Sequence, residues 1–354
     1  MVFIESPAGV GFSYSDDKAD NTIGDEQTAI DNYNLIQAFL VKFPEYGNNS
    51  LIISSESYGG HYIPQLAKII VDENSKGENP VINFRGFLVG NPYTDVYSGT
   101  PAMVDTMWGH QLIPLPAYKE YQEVCNSKTK RDAAKCSALA YKLTSAYEGN
   151  LNPYALDYPV CLTDSLAKKG RAQRTWLLNH LLDHHLNADE KKQLGVPLKE
   201  SYEPCADSYT DIYLNRKEVQ EAIHVKSSVW TECSYTLNYQ MEDEDVSTAP
   251  IYNYLIDGKY NLDILVYSGD DDSVCGLVGT QSWIWSLGYE VGTYWNPYVL
   301  EGQTVGFLST WPASKLALLT VHSAGHEVPT YKPEVAFDLF SKFINRDFFQ
   351  PSKK

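Results

Sequence analysis

Short apolar runs alternate with longer stretches of helical periodicity along the chain, which predicts strands and helices in turn. "MVFIES" reads as a strand, and Gly24 to Phe43 reads as a helix that ends before Pro44. "SLIIS" predicts a second strand, and "HYIPQLAKIIVDE" turns helical directly after a serine. "VINFRGFLVGNPYTD" gives a third strand closed by a Gly-Asn-Pro turn. From about residue 100 to 210 the pattern changes to helical stretches such as "RTWLLNHLLDHHLNADEKK", with no strand series. Alternation then resumes. "YLNRKEVQEAIHV" opens like a helix, "NLDILVYSGDDD" is an apolar strand ending in acids, and "QSWIWSLG" is helical. "TYWNPYVLEGQTVGFLSTW" reads as a hairpin, "LALLTVHSAGHE" as a last strand and "PEVAFDLFSKFI" as a last helix.

This order predicts an α/β fold, with a mostly parallel central sheet covered by flanking helices. The helical middle reads as a cap inserted over the sheet. Residues 1–99 then form the first part of the core, 100–210 the cap, and 211–354 the second part of the core. No internal repeat is visible.

Composition narrows the function classes. Hydrophobic residues make up 43% and charged residues 21%, which fits a filled core rather than disorder. The 28 Lys and Arg stand against 45 Asp and Glu, a net charge of −17 with no basic stripe, so no nucleic-acid partner is expected. No run approaches the ~20 apolar residues that cross a bilayer, so no membrane span is expected. The opening "MVFIESPAGVG" lacks the basic start and apolar core of a signal peptide.

Six cysteines, Cys125, Cys136, Cys161, Cys205, Cys233 and Cys275, match no common paired zinc spacing. They read either as disulfides of an oxidising compartment or as buried thiols. Asn48 in "NNS" is a glycosylation sequon, consistent with secretion. His180 and His184 in "HLLDHH" stand at metal-pair spacing, but no Glu follows the first His as in zinc proteases. A solvated cap helix is the preferred reading, and neither metal nor cofactor is expected. "MEDEDVS" reads as a solvated acidic loop.

Candidate chemistry sits at strand ends. Ser55-Glu56-Ser57-Tyr58-Gly59 lies between a strand and a helix, where a nucleophile elbow lifts a hydroxyl above a sheet. Ser55 replaces the first glycine of G-x-S-x-G, and a Ser-rich loop leading into a helix cap is the plainer reading of this stretch alone. Asp270, Asp271 and Asp272 follow one strand and His326 follows the last. Both lie at carboxyl ends, where open α/β sheets place their chemistry. The order Ser57, Asp272, His326 is that of an α/β-hydrolase triad. "GDDDS" alone also reads as an acidic turn or a weak calcium loop.

"FIESPAGVGFSYS", "ESYGGHYIP", "GNPYTD", "YLNRKEVQEAIHV", "YSGDDDSVC" and "HSAGHEVP", in this order from residue 3 to 329, resemble the successive signatures of serine carboxypeptidases. The resemblance implies an α/β-hydrolase fold and release of C-terminal amino acids from peptides at acidic pH. It makes Ser57 the nucleophile, His326 the base and Asp272 the acid, with Asp270 structural and the Tyr58 N–H in the oxyanion hole. Glu56 would grip the substrate's terminal carboxylate. Two carboxyl groups in contact cannot both ionise, so one stays protonated and donates. On sequence alone Glu56 also reads as a partner for the following helix dipole. Glu327 would border the pocket of the leaving residue, and Cys275 would be a mercurial-sensitive thiol near it. The pairings implied are Cys125 with Cys136 and Cys161 with Cys205.

The family also carries W-x-N-G-G-P-G-C-S-S upstream of the strand that here begins at Met1. The expectation is therefore a chain lacking early strands, one oxyanion donor, a carboxylate-binding Asn, a second Glu for Glu56 and the partner of Cys233. One lost oxyanion donor costs about 10²–10³ in rate. The implied place of action is secreted or vacuolar/lysosomal, on peptide or protein C-termini, as monomer or homodimer. A carboxypeptidase-like acyltransferase and a catalytically impaired binding relative are the rival readings.

Overall fold

In the computed structural model the described residues are 1–125, 133–161, 206–234 and 236–349. Eight strands run β1 Thr22–Ile23, β2 Leu51–Glu56, β3 Phe84–Gly90, β4 Asn238–Tyr239, β5 Asp263–Gly269, β6 Thr293–Leu300, β7 Gln303–Trp311 and β8 Leu316–Val321. The longer helices are α1 Asp25–Lys42, α2 Gly59–Lys76, α3 Val96–Gly109, α4 Leu115–Cys125 and α5 Ala133–Glu148. They continue as α6 Ala206–Leu214, α7 Lys217–Ala222, α8 Ala249–Asp257, α9 Leu277–Ser286, α10 Val328–Tyr331 and α11 Pro333–Ile344.

Six strands form the main sheet in the order β2-β3-β5-β8-β7-β6. The first four pair in parallel, and β8, β7 and β6 pair antiparallel. This is the mostly parallel sheet expected from the alternation, in the α/β-hydrolase arrangement the resemblance implied. Every residue of β5 and β8 is buried, because helices cover both faces at the sheet centre. One face packs Ile63, Leu66 and Ile70 of α2 with Phe87, Ile264 and Trp283. The other packs Leu88, Leu265 and Leu319 under Leu339 and Phe343 of α11. A separate cluster joins Val104 and Met107 to Tyr121, Cys136 and Leu143 of the helices that follow β3.

Local chemistry sets the element ends. α1 opens with Asp25 and Glu26 and closes with Lys42, which suits its dipole. α2 stops at Gly77, whose φ of 68° is the left-handed conformation a C-terminal cap requires. The single helix expected near residue 213 is instead α6 and α7. Asn215 separates them because its side chain bonds the Asp211 and Trp230 carbonyls and the Trp230 N–H, competing with helix bonding.

Two further expectations are corrected. Residues 1–6 form no strand: Met1, Val2 and Phe3 are exposed, and Glu5 folds the segment on itself. Its carboxylate accepts from the Phe12 N–H at 2.6 Å and from Trp230 Nε1 at 2.8 Å. The acidic stretch at 241–245 is not a freely solvated loop. Asp243 accepts from the Asp25 N–H at the start of α1, and Glu244 is buried. Burial, with Asp245 and Asp25 beside it, pushes the Glu244 carboxyl up to about 8.

Candidate active site

Parallel β2, β3, β5 and β8 bring four chain segments to one end of the sheet. Ser57 follows β2, Asn91 follows β3, Asp270 to Asp272 follow β5, and His326 lies five residues after β8. Ser57 holds φ at 59°, the left-handed strain of a nucleophile elbow. The turn is pinned by Ser57 N–H to Gly90 O at 3.0 Å and by Tyr93 N–H to Ser57 O at 2.8 Å. Gly59 is required because a Cβ there would stand 2.5 Å from the Ser55 side chain. A small residue at 55 therefore serves the same close packing as the usual glycine.

His326 is 4% exposed, and its Nδ1 lies 2.7 Å from Asp272 Oδ2. Asp272 is fully buried. It also accepts from Asn91 Nδ2 at 2.8 Å and from the N–H groups of Val274 at 2.8 Å and Cys275 at 3.3 Å. Four donors thus hold one carboxylate in place. Burial works against the His326 imidazolium, but the charges of Asp272, Glu56 and Glu327 outweigh it and raise the imidazole above its ordinary value.

Cys275 lies in the same cluster, its sulfur within 4.8 Å of ligand atoms of Asp272 and His326. The Ser57 side chain opposes the rise of the Cys275 thiol, and the Ser57 N–H bonds Gly90 O next to the Asn91 that holds Asp272. Burial and the Asp272 charge push the thiol well above its usual range, so Cys275 stays protonated and is a poor nucleophile.

Sequence reasoning missed three side chains here. Asn91 is buried with φ of 37°, and it binds both Asp272 and the Gly269 N–H. The Gly-Asn-Pro turn marked the position but not the contact. Below the elbow, fully buried His61 sits 2.8 Å from Asp25 and stacks on Tyr58 at 4.6 Å. Burial pushes the Asp25 carboxyl up, but bonds from His61, Tyr239 and Gln65 outweigh it and hold it below the usual value. Replacing Asn91 by alanine is expected to lower kcat by about 10–10² with little change in KM, because a misoriented Asp272 misplaces the His326 imidazole. Steady-state kinetics on a peptide substrate measures it.

Cys125 and Cys136 form a disulfide, and Cys161 is also disulfide-bonded. Cys205, His180 and His184 lie outside the described residues. Cys233 is half-buried, and Asn48 is exposed beyond the end of α1. No described helix is long and apolar enough to cross a membrane.

The family model of serine carboxypeptidases matches residues 1–346. The chain belongs to the serine carboxypeptidase family. Serine carboxypeptidase-like 26 of Arabidopsis thaliana is 34% identical over 98% of this chain and 72% of its own length. Serine carboxypeptidase 24 of the same plant is 35% identical over 97% and 72%. The crystal structure of Kex1, a prohormone-processing carboxypeptidase from Saccharomyces cerevisiae, superposes with a TM-score of 0.70 at 19% identity. It covers 97% of this chain and 73% of that one, and shows the shared fold. Membership places the chain among peptidase hydrolases.

Proposed function

We propose that this serine carboxypeptidase releases C-terminal residues from peptides through an acyl-enzyme, with Ser57 as nucleophile, His326 as base and Asp272 as acid. The observation that carries the reading is the buried 2.7 Å His326–Asp272 pair, with the strained Ser57 turn bonded to Gly90 next to the Asn91 that holds Asp272. Asp272 fixes the imidazole with its proton on Nδ1, leaving Nε2 to accept. Ser57 gives its hydroxyl proton to Nε2 as its oxygen attacks the last peptide carbonyl, and the proton passes on to the amine as the C–N bond breaks. The Tyr58 N–H stabilises the tetrahedral oxyanion.

Glu56 in its protonated form donates to the terminal carboxylate of the peptide, which confines cleavage to the last bond and favours acidic pH. Glu327 borders the pocket of the leaving residue. Residues 100–210 serve as a cap over this end of the sheet. Disulfides and the exposed Asn48 sequon fit a secreted or vacuolar protein.

A blocked dipeptide with a free C-terminus at pH 5 tests the reading against its amidated counterpart. The acid is expected to be cleaved at least about tenfold faster in kcat/KM, and Glu56→Ala is expected to erase most of that preference through KM. Equal rates on both substrates, or transfer from an acyl-glucose donor without peptide cleavage, would remove the carboxypeptidase assignment.

A further inference from the structure

Each of the three consecutive aspartates after β5 meets a different histidine. Asp270 Oδ2 lies 2.7 Å from His322 Nδ1, Asp272 Oδ2 lies 2.7 Å from His326 Nδ1, and Asp271 Oδ1 lies 3.7 Å from His110 Nδ1. The His110 arrangement differs from the other two. Its Nδ1 also faces Asp157 Oδ1 at 3.8 Å, and ligand atoms of His110, Asp157 and Asp271 all lie within 4.8 Å of one another. His110 Nε2 is 3.3 Å from the Asp270 carbonyl, a contact that calls for a proton on Nε2. A neutral ring so oriented turns a lone pair towards two carboxylates. Three acceptors repel one another unless a proton sits among them. Asp271 is only 1% exposed, so water does little to screen that repulsion.

The cluster lies on a seam that reaches the triad. Leu156 N–H bonds Asp271 O at 3.0 Å, Ser273 N–H bonds Pro153 O at 3.0 Å, and His326 N–H bonds Tyr154 O at 2.7 Å. The Asp157 N–H bonds both carboxylate oxygens of Asp271 at 3.1–3.2 Å. Residues 152–157 are therefore stitched to the turn that bears Asp272 and to the base itself.

We propose that His110, Asp157 and Asp271 form a proton-dependent clasp that positions the Asp272 turn, holding the catalytic pair more firmly at acid than at alkaline pH. The proposal rests on Asp272 being the triad acid. His110, Asp157 and Asp271 are positioning residues that act through that turn. Among the described residues, the charged groups facing the clasp are His110 from the end of α3 and Asp157 from the 152–157 segment. Beyond them stand Asp270 with His322 and Asp272 with His326, from the ends of β5 and β8. Burial pushes the Asp271 carboxyl up to about 8. The Asp157 N–H opposes this, while the charges of Asp157, Asp270 and Asp272 add to it. A carboxyl raised by folding binds its proton more tightly in the native state. Its contribution to stability is full below the unfolded value near 4 and is lost as pH rises towards about 8.

Asp271→Asn supplies a permanent N–H donor of the same shape, and Asp157→Asn removes the facing charge at a side chain that is 73% exposed. Thermal unfolding from pH 5 to 9 is the first readout. The wild-type midpoint is expected to fall by several degrees more than that of either variant, and parallel curves for all three would overturn the clasp. The second readout is the alkaline limb of kcat/KM on the blocked dipeptide, expected to move up by roughly one pH unit in Asp271→Asn. Diverging unfolding curves with superimposable alkaline limbs would overturn the positioning role. Diverging unfolding curves with no peptide cleavage at any pH would leave the clasp standing and remove the catalytic reading instead.

Discussion

Replacing Ser57 by alanine is expected to lower kcat/KM on the blocked dipeptide by about 10⁴-fold or more, with a thermal midpoint close to wild type. The proposed acyl route needs the Ser57 oxygen, and neither Cys275 nor Ser55 can stand in. Cys275 is held as a protonated thiol by burial and by Asp272. Ser55 lies within β2, packed against Gly59 at the start of α2, and so is committed to strand–helix contact. His326→Ala is expected to cost a similar factor, and the double variant little more, because nucleophile and base act as one unit. Active-site titration alongside the rates separates lost chemistry from lost protein. Residual activity above a few per cent in Ser57→Ala would place the nucleophile elsewhere.

The largest stability effect is expected at Asp263, far from the chemistry. It opens β5 and is fully buried, yet it gathers Arg85 Nε at 2.9 Å, Arg346 Nε at 2.8 Å and Lys315 Nζ at 3.5 Å. Arg85 is itself 14% exposed and goes on to bond the Phe343 and Ile344 carbonyls in the last turn of α11. The aspartate thus ties the sheet to the C-terminal helix. Asp263→Ala leaves a nearly buried guanidinium without its counter-charge and is expected to cost about 3 kcal/mol. Arg346 is half exposed, so its share of that loss is small. Urea unfolding should show the loss as a lower midpoint at unchanged slope, while Arg346→Ala should lose under about 1 kcal/mol. Equal effects for the two variants would contradict this division.

Strands with an apolar run buried on both faces were readable in the sequence, because β5 and β8 have no solvent side to interrupt the pattern. Ser57, Asp272 and His326 could be proposed for a related reason: each follows a predicted strand at a sheet end, the last two after fully buried ones. The opening "MVFIES" misled because strand propensity describes half of a pair. Among the described residues no strand pairs with them, and Glu5 finds its donors in Phe12 and Trp230. Asn91 and His110 were out of reach for a different reason. Each acts on the Asp270–Asp272 turn from more than 150 residues away, and no local spacing encodes such a contact. His61 looked like an ordinary helix residue until its stack on Tyr58 was visible.

Mapping a fluorophosphonate adduct by peptide mass spectrometry is the shortest route to the central claim. One hydroxyl should carry the label, on Ser57, and the adduct should vanish in His326→Ala while a folded circular dichroism spectrum persists. Label on a different serine, or undiminished label without the imidazole, would contradict the account.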